Sequence, residues 1–447
     1  MCKFSVLLAL LFLINFSYLS GQGKTWNLEE CVDYAMENNI TIKQTELNTR
    51  YNQNIMDQSK LSRLPNLNAG SNYDYSYGRA LDPTTYEFID QKSNSFRITM
   101  NSSVSLFNGF QKKNSIAQNR LNLMASYEDV LRVKNDISLN IAAAYLQILF
   151  SNELYQVAKN QIEVTKQQVD RTQLMVDAGK LARGSALEIQ AQFAAEELNL
   201  VNTENQLLLT YLNLQQMLDM PYDPDFRIDI PEIPDPGENL LLVEVSEVYK
   251  IAEEIMPRIK SSEFNLRAVE KELDIAKGMR YPSLNLNGGY GTNYSDSRYD
   301  PITSEPMEFS QQMRDYLSFG IGLGLRIPIF NGGQVNTAIA NARISIENSQ
   351  LELQNAKNEL YRNIQQAHTD AVAALKKFAS TEKALISMEE SFKYTEQKFE
   401  VGMVNTVDYN ASKNQLTQTQ SDLLQAKYDF IFKTRILNFY LGEPINI

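Results

Sequence analysis

The sequence predicts a mainly α-helical chain with a β-barrel part. Three observations carry this expectation: glycine and proline are scarce, one unit of sequence is used twice, and short segments of alternating apolar residues interrupt the helical stretches. Gly 19 and Pro 13 amount to about 7% of the 447 residues, against a usual sum of about 12%, so long unbroken helices are expected. At 43% hydrophobic and 21% charged, the chain is neither disordered nor a multi-span helical membrane protein.

The first segment reads as an export signal, residues 1–21. Lys3 supplies the positive charge, Val6 to Phe16 is apolar except for Asn15, and Ser20-Gly21 offers small residues for cleavage. That run is too short to stay in a membrane as a spanning helix. The formal charge of −12 becomes −13 once Lys3 is removed, and such a balance argues against a nucleic-acid partner, which needs a basic face. Cleavage also removes Cys2 and leaves Cys31 alone. Flanked by Leu28, Val32 and Ala35 at helical spacing, Cys31 reads as a buried apolar residue.

The repeat is explicit. Ser105-Leu-Phe-Asn-Gly-Phe-Gln111 recurs as Pro328-Ile-Phe-Asn-Gly-Gly-Gln334 at an offset of 223, which also carries Gly179 onto Gly402 and Pro221 onto Pro444. Pro65-Asn-Leu-Asn68 recurs as Pro282-Ser-Leu-Asn285 at an offset of 217, so the second copy holds six extra residues. They are expected in its outward loop, between Thr292 and Leu317, where insertions are best tolerated. The organisation is therefore a first repeat over 22–221, a Pro-rich linker over 222–244 and a second repeat over 245–447.

Each repeat predicts a very long helical hairpin. Phe110 to Ala178 and Gln334 to Val401 contain no Gly or Pro. Tyr155, Ile162, Val169 and Val176 step by seven, as do Phe378, Leu385, Phe392 and Phe399, which is the period of a left-handed coiled coil. Gly179 and Gly402 end these helices. The chain returns through runs whose stripes are Phe193, Leu200, Leu207 and Leu214, then Leu416, Leu423, Phe430 and Leu437. Breaks in the helices that lead into the strands are expected at Asn38-Asn39 and Pro257.

The strand segments have period two. Tyr73, Tyr75 and Tyr77 alternate with polar or small residues, as do Phe96, Ile98 and Met100, and again Phe319, Ile321, Leu323 and Leu325, a pattern that runs on to Ile327 and Ile329. One apolar face against lipid and one polar or small face against a lumen is the pattern of an outer-membrane barrel strand, so Tyr73, Tyr75, Phe96, Ile98, Phe319, Ile321, Leu323 and Leu325 are read as lipid-facing. Asp82-Pro83 and Asp300-Pro301 lie in the loops joining each strand pair. Four strands cannot close a membrane barrel, whose smallest members have about eight, so several chains must share one; three chains would give twelve strands and leave an opening.

The twofold repeat, the Pro-x-Leu-Asn entries to the strands, the Phe-Asn-Gly exits and the Gly-marked tips resemble the TolC family of outer-membrane efflux proteins over essentially all of Trp26 to Pro444. The resemblance implies a homotrimer with a twelve-stranded barrel in the outer membrane, continued by a coiled-coil helical barrel through the periplasm, with the linker in an equatorial belt. It implies an exit channel for efflux or type I secretion, supplied by an inner-membrane transporter through a periplasmic adaptor, with no cofactor. On the same basis Asp408, six residues after the second tip glycine, would line the pore constriction, and Glu188 of the first hairpin would supply a second carboxylate where the family's other position holds Ala411. The family's closing contacts are not kept: the matching positions are Ser185, Phe399 and Val404. The tips, with Gly179, Lys180, Arg183, Ser185, Glu400 and Gly402, would dock the adaptor, and their charges suggest Lys180 and Arg183 set against Glu400 and Asp408.

Catalytic readings have little to stand on. His368 is the only histidine and lies inside a long helix. Gly320-Ile-Gly-Leu-Gly324 lacks the third glycine of a dinucleotide loop and is followed by Pro328, so it reads as small residues on a strand. The alternative of a periplasmic adaptor or structural coiled-coil protein is disfavoured, because adaptors carry their hairpin once and need no lipid-facing strands.

Overall fold

The computed structural model describes residues 25–81, 86–231, 243–300, 302–303 and 305–444. Residues 1–21, read above as an export signal, Asp82-Pro83, Pro301 and residues 232–242 of the Pro-rich linker lie outside the described residues. Two compact units are present, each discontinuous in sequence: one takes residues up to Glu46, Asp129–Ile259 and Ala356 onward, the other Leu47–Glu128 and Lys260–Asn355.

In chain order the elements are β1 (Thr25–Trp26), α1 (Leu28–Asn38), α2 (Ile40–Leu61), β2 (Asn66–Leu81), β3 (Phe88–Asn108), α3 (Gln111–Asp177), α4 (Arg183–Met217), β4 (Arg227–Ile228), α5 (Val245–Ile255), α6 (Pro257–Gly278), β5 (Ser283–Ser295), α7 (Phe309–Asp315), β6 (Ser318–Arg326), α8 (Gln334–Glu400) and α9 (Thr406–Tyr440). The repeat is legible in these bounds. An offset of 217 carries α1 onto α5 and α2 onto α6, and 223 carries α3 onto α8 and α4 onto α9, residue for residue. The helix break is made differently in each copy. Asn39 accepts from the amides of Thr41 and Ile42 to cap α2, whereas α6 begins with Pro257, whose missing N–H costs nothing in a first turn.

The second unit holds a four-stranded sheet of order β2-β3-β5-β6, antiparallel throughout. Asn66 lies opposite Ser103 in one hairpin and Ser283 opposite Arg326 in the other; the two offsets carry one pair onto the other, so both hairpins share a register. The six extra residues therefore fall between β5 and β6, where a folded connection contains α7. The fourth strand ends at Arg326 rather than at Ile329, because Pro328 offers no ladder donor and restricts Ile327.

The turn from β3 into α3 rests on Gly109, at φ +64°, where a Cβ would stand 2.1 Å from the carbonyl oxygen of Gly278 at the end of α6. Its counterpart Gly332 has φ +60° and open space around it. The same Phe-Asn-Gly exit is thus sterically closed in one copy and open in the other.

The first unit is organised around the middle of α3. Ile141, Tyr145, Ile148 and Leu149 pack with Leu28, Cys31 and Ala35 of α1, Leu214 and Leu218, and Phe226 and Ile228. Tyr145 donates to the carbonyl of Asp229 at 2.6 Å, tying α3 to β4, which pairs in parallel with β1. Cys31 is buried, as its apolar neighbours indicated.

Candidate functional site

Both hairpin tips end in the same backbone device. Gly179 adopts φ +71°, its amide donates to Val176 and that of Lys180 to Met175; Gly402 adopts φ +78°, with Phe399 and Lys398 as the corresponding acceptors. This is the Schellman closure of a helix, which glycine completes without a Cβ clash. After the second tip the Asn405 side chain accepts from the Asp408 amide at 2.8 Å and caps α9. Asp408 therefore sits in the first turn of α9, where a carboxylate is favoured by the unpaired amides of the helix start. Its side chain is exposed, as are those of Glu188, Lys180 and Arg183, while Ser185 is half-buried.

The expected pairing of Lys180 and Arg183 with Glu400 is not what the chain makes. Glu400 is met by Arg171 of α3 at 2.9 Å, eight residues before the tip glycine Gly179. Lys180 and Arg183 follow Gly179 in the turn and the start of α4, whereas Arg171 projects from the body of α3 toward the end of α8.

Behind the tips lies a buried charged cluster that sequence reasoning missed. Lys413 of α9 reaches Glu196 of α4 at 3.3 Å, with side chains 5% and 9% exposed. Thr165 of α3 donates to Glu196 and accepts from Lys413, and Gln192 donates to Glu196 at 2.9 Å and to Asn414 at 2.9 Å. Burial holds the Lys413 ammonium below its usual range, and the Glu196 charge opposes that shift. A signal existed: Glu196 lies three residues after Phe193 and Lys413 three before Leu416, opposite charges at seam positions of two predicted stripes. Ala158, Thr165 and Thr172 are likewise more buried than the apolar residues of their own helix three positions before each.

Within the second hairpin the contacts are aromatic. Tyr409 stacks on Phe399 with ring centres 4.5 Å apart and packs on Phe392 at 5.5 Å. Burial, reinforced by Glu396, pushes its phenol up to about 12.

In the sheet, register puts the expected lipid-facing residues on one side. Tyr73 is opposite Phe96, and Phe96 opposite Tyr294; Tyr290 is opposite Phe319, and Leu284 and Leu286 opposite Leu325 and Leu323. Tyr73, Tyr75, Phe96, Ile98, Phe319, Ile321, Leu323 and Leu325 all share that face. The other face carries Asn68, Asn72, Asp74, Arg97, Asn101, Asn285, Asn287, Gly320, Gly322 and Gly324. Phe96 is not fully open, because Phe309 of α7 stands 6.2 Å away. Among the described residues no helix is long and apolar enough to cross a membrane, and no acidic, histidine or cysteine cluster is placed to hold a metal ion.

A sheet with one apolar and one polar face, joined to paired coiled-coil hairpins, defines a class: outer-membrane channel proteins with a helical periplasmic extension. The chain belongs to the outer membrane efflux protein family, whose model matches residues 31–219 and 248–443. It is 20% identical to outer membrane protein TolC of Escherichia coli, with 98% of this chain and 86% of that protein covered. Its fold is similar to that of CusC (TM-score 0.79, 17% identity, 93% and 92% of the two chains) and of VceC from Vibrio cholerae (TM-score 0.76, 16% identity, 94% and 97%). Its role is that of an outer-membrane exit channel, in the plane of the membrane through its sheet and in the periplasm through its helices.

Proposed function

We propose that the chain is one third of a trimeric conduit that carries cargo from an inner-membrane transporter, through a periplasmic adaptor, to the outside, with no catalytic step and no cofactor. The single observation that carries this reading is the four-stranded sheet, which has an apolar face and two unpaired edges, β2 and β6. An open sheet with such a face needs both lipid and a further copy, because edge amides have no partner in a bilayer. On β2 the apolar side runs from Leu67 to Tyr77; at about 3.4 Å per residue and about 40° of tilt this is a band of about 25 Å, the height of an outer-membrane barrel's apolar belt.

The sequence repeats 22–221 and 245–447 each supply one strand pair and one hairpin to this conduit, with 222–244 between them. Asp408 narrows the periplasmic mouth, with Glu188 as a second carboxylate, and threefold symmetry gathers three copies of each around one axis. Carboxylates at a narrow mouth concentrate cations there. The adaptor docks on the tips, around Gly179, Lys180, Arg183, Ser185, Glu400 and Gly402, where Leu187, Val401, Met403 and Val407 are exposed apolar residues. The test is the mass of the detergent-solubilised protein, expected at about three chains of 51.0 kDa less their signals. A stable folded monomer overturns the conduit.

A further inference from the structure

The sheet is uneven. β5 runs to Ser295, but its pairing with β6 stops at Gly291 opposite Ser318, so Thr292 to Ser295 have no strand on that side. Helix α7 occupies the place. The Gln312 side chain, fully buried, acts there as a substitute peptide group: its Oε1 accepts from the Ser295 amide at 3.0 Å and its Nε2 donates to the Ser295 carbonyl at 3.0 Å. A second donation, to Met307 at 2.8 Å, fixes the carboxamide in the loop. Thr292 Oγ1 donates to the carbonyl of the residue after Gln312, Met313, at 2.9 Å, so the helix is also held at the other end of the stretch 292–295.

The connection between β5 and β6 also serves both faces of the sheet. Phe309 packs on Tyr294 at 5.1 Å and on Phe96 at 6.2 Å, both on the apolar face. Toward the polar face, the Arg298 guanidinium lies 3.6 Å over the Tyr316 ring and donates to Asn293 Oδ1 at 2.9 Å. Phe309 thereby extends the aromatic row Tyr73, Phe96, Tyr294 by one position, where the next strand's residue would stand.

We propose that α7 completes the lipid-contacting wall above β6, with Phe309 seated in lipid at the outer interface of the membrane. Outer-membrane barrels carry girdles of aromatic residues at that depth. The proposal rests on the barrel reading above, and its test separates the two.

Phe309→Trp and, separately, Leu323→Trp are placed in lipid nanodiscs, and the emission of the unmodified chain, whose only tryptophan is Trp26, is subtracted. Phospholipid brominated near the headgroup end of its acyl chains is expected to quench Phe309→Trp strongly, and aqueous iodide only weakly. Adding Gln312→Ala should reverse that order by releasing the helix into water. Iodide quenching without bromolipid quenching of Phe309→Trp overturns the proposal in favour of a solvated loop. Quenching by neither overturns it in favour of cover by a second copy. An unchanged pattern with Gln312→Ala removes Gln312 as the support. Leu323→Trp reports on the barrel independently: bromolipid quenching there keeps the barrel reading whatever Phe309 does, and its absence sinks both.

Discussion

Lys413 and Glu196 form an ion pair 3.3 Å long between the returning helices of the two hairpins, withdrawn from water and bridged by Thr165 of a third helix. Contacts between the hairpins are thus polar here, while those inside the second hairpin, at Phe392, Phe399 and Tyr409, are aromatic. A buried pair adds little over an apolar pair of the same shape, but removing one partner strands the other charge.

Lys413→Met is therefore expected to destabilise the protein by about 3–5 kcal/mol, because Glu196 is left buried without its partner. The double variant Lys413→Met with Glu196→Leu should recover most of that loss. Thermal unfolding followed by circular dichroism reads the comparison, and a double variant as unstable as the single one would mean that the polar cluster is needed for packing.

Tyr409 sets an alkaline limit. Its phenol is raised from 10.0 to about 12 by burial, so in the folded chain it keeps its proton where the unfolded chain loses it. The stabilisation is fully present below pH 10 and is lost as pH rises from 10 to about 12. Tyr409→Phe should make the fall in stability over that interval shallower. Denaturant midpoints at matched pH values check this, and identical slopes for the two proteins would count against it.

The two Phe-Asn-Gly exits should respond differently to alanine. Gly109→Ala drives a methyl into the Gly278 carbonyl and should abolish assembly of the solubilised oligomer. Gly332→Ala meets only the left-handed backbone penalty of about 1–2 kcal/mol and should assemble. Equal yields of oligomer from both variants would contradict the close approach.

At the tip, Arg171 and Glu400 are each about half exposed, so their pair contributes at most about 1 kcal/mol. Reversing one charge, Arg171→Glu, places two carboxylates together and should raise single-channel conductance by loosening the tips. The exchange Arg171→Glu with Glu400→Arg should restore it. Conductance that ignores both variants would show that the pair does not hold the tip.

Asp408→Asn keeps size and the Asn405 cap, which uses the backbone amide, and removes only charge. Bilayer recordings should show weaker cation selectivity and weaker block by multivalent cations. Glu188→Gln should act likewise only if its side chain lines the same passage. Unchanged selectivity in Asp408→Asn would assign that carboxylate to the helix start alone.

Much of this was local and therefore readable along the chain. Seven-residue stripes, runs without Gly or Pro, tip glycines and alternating strands each express a periodicity or backbone need that a few neighbouring residues decide. The repeat reproduced the helix bounds of one copy in the other, and a six-residue surplus located the folded connection between β5 and β6. The identity of that connection was not local. Gln312 takes its meaning from four residues of β5 that have no strand on the β6 side, and nothing around it in the sequence announces a substitute for a ladder peptide.

The sequence by itself determined which elements form and which of their faces are apolar, because propensity, capping and amphipathic period are properties of short segments. Only the tertiary structure decided which charges meet. Glu400 pairs with Arg171 and not with the nearer-looking tip residues, and Lys413 finds Glu196 across 217 positions of sequence. Side-chain reach is a few ångströms, so such partners are set by how helices pack against one another, and coiled-coil periodicity fixes the seam of a helix without naming the residue across it.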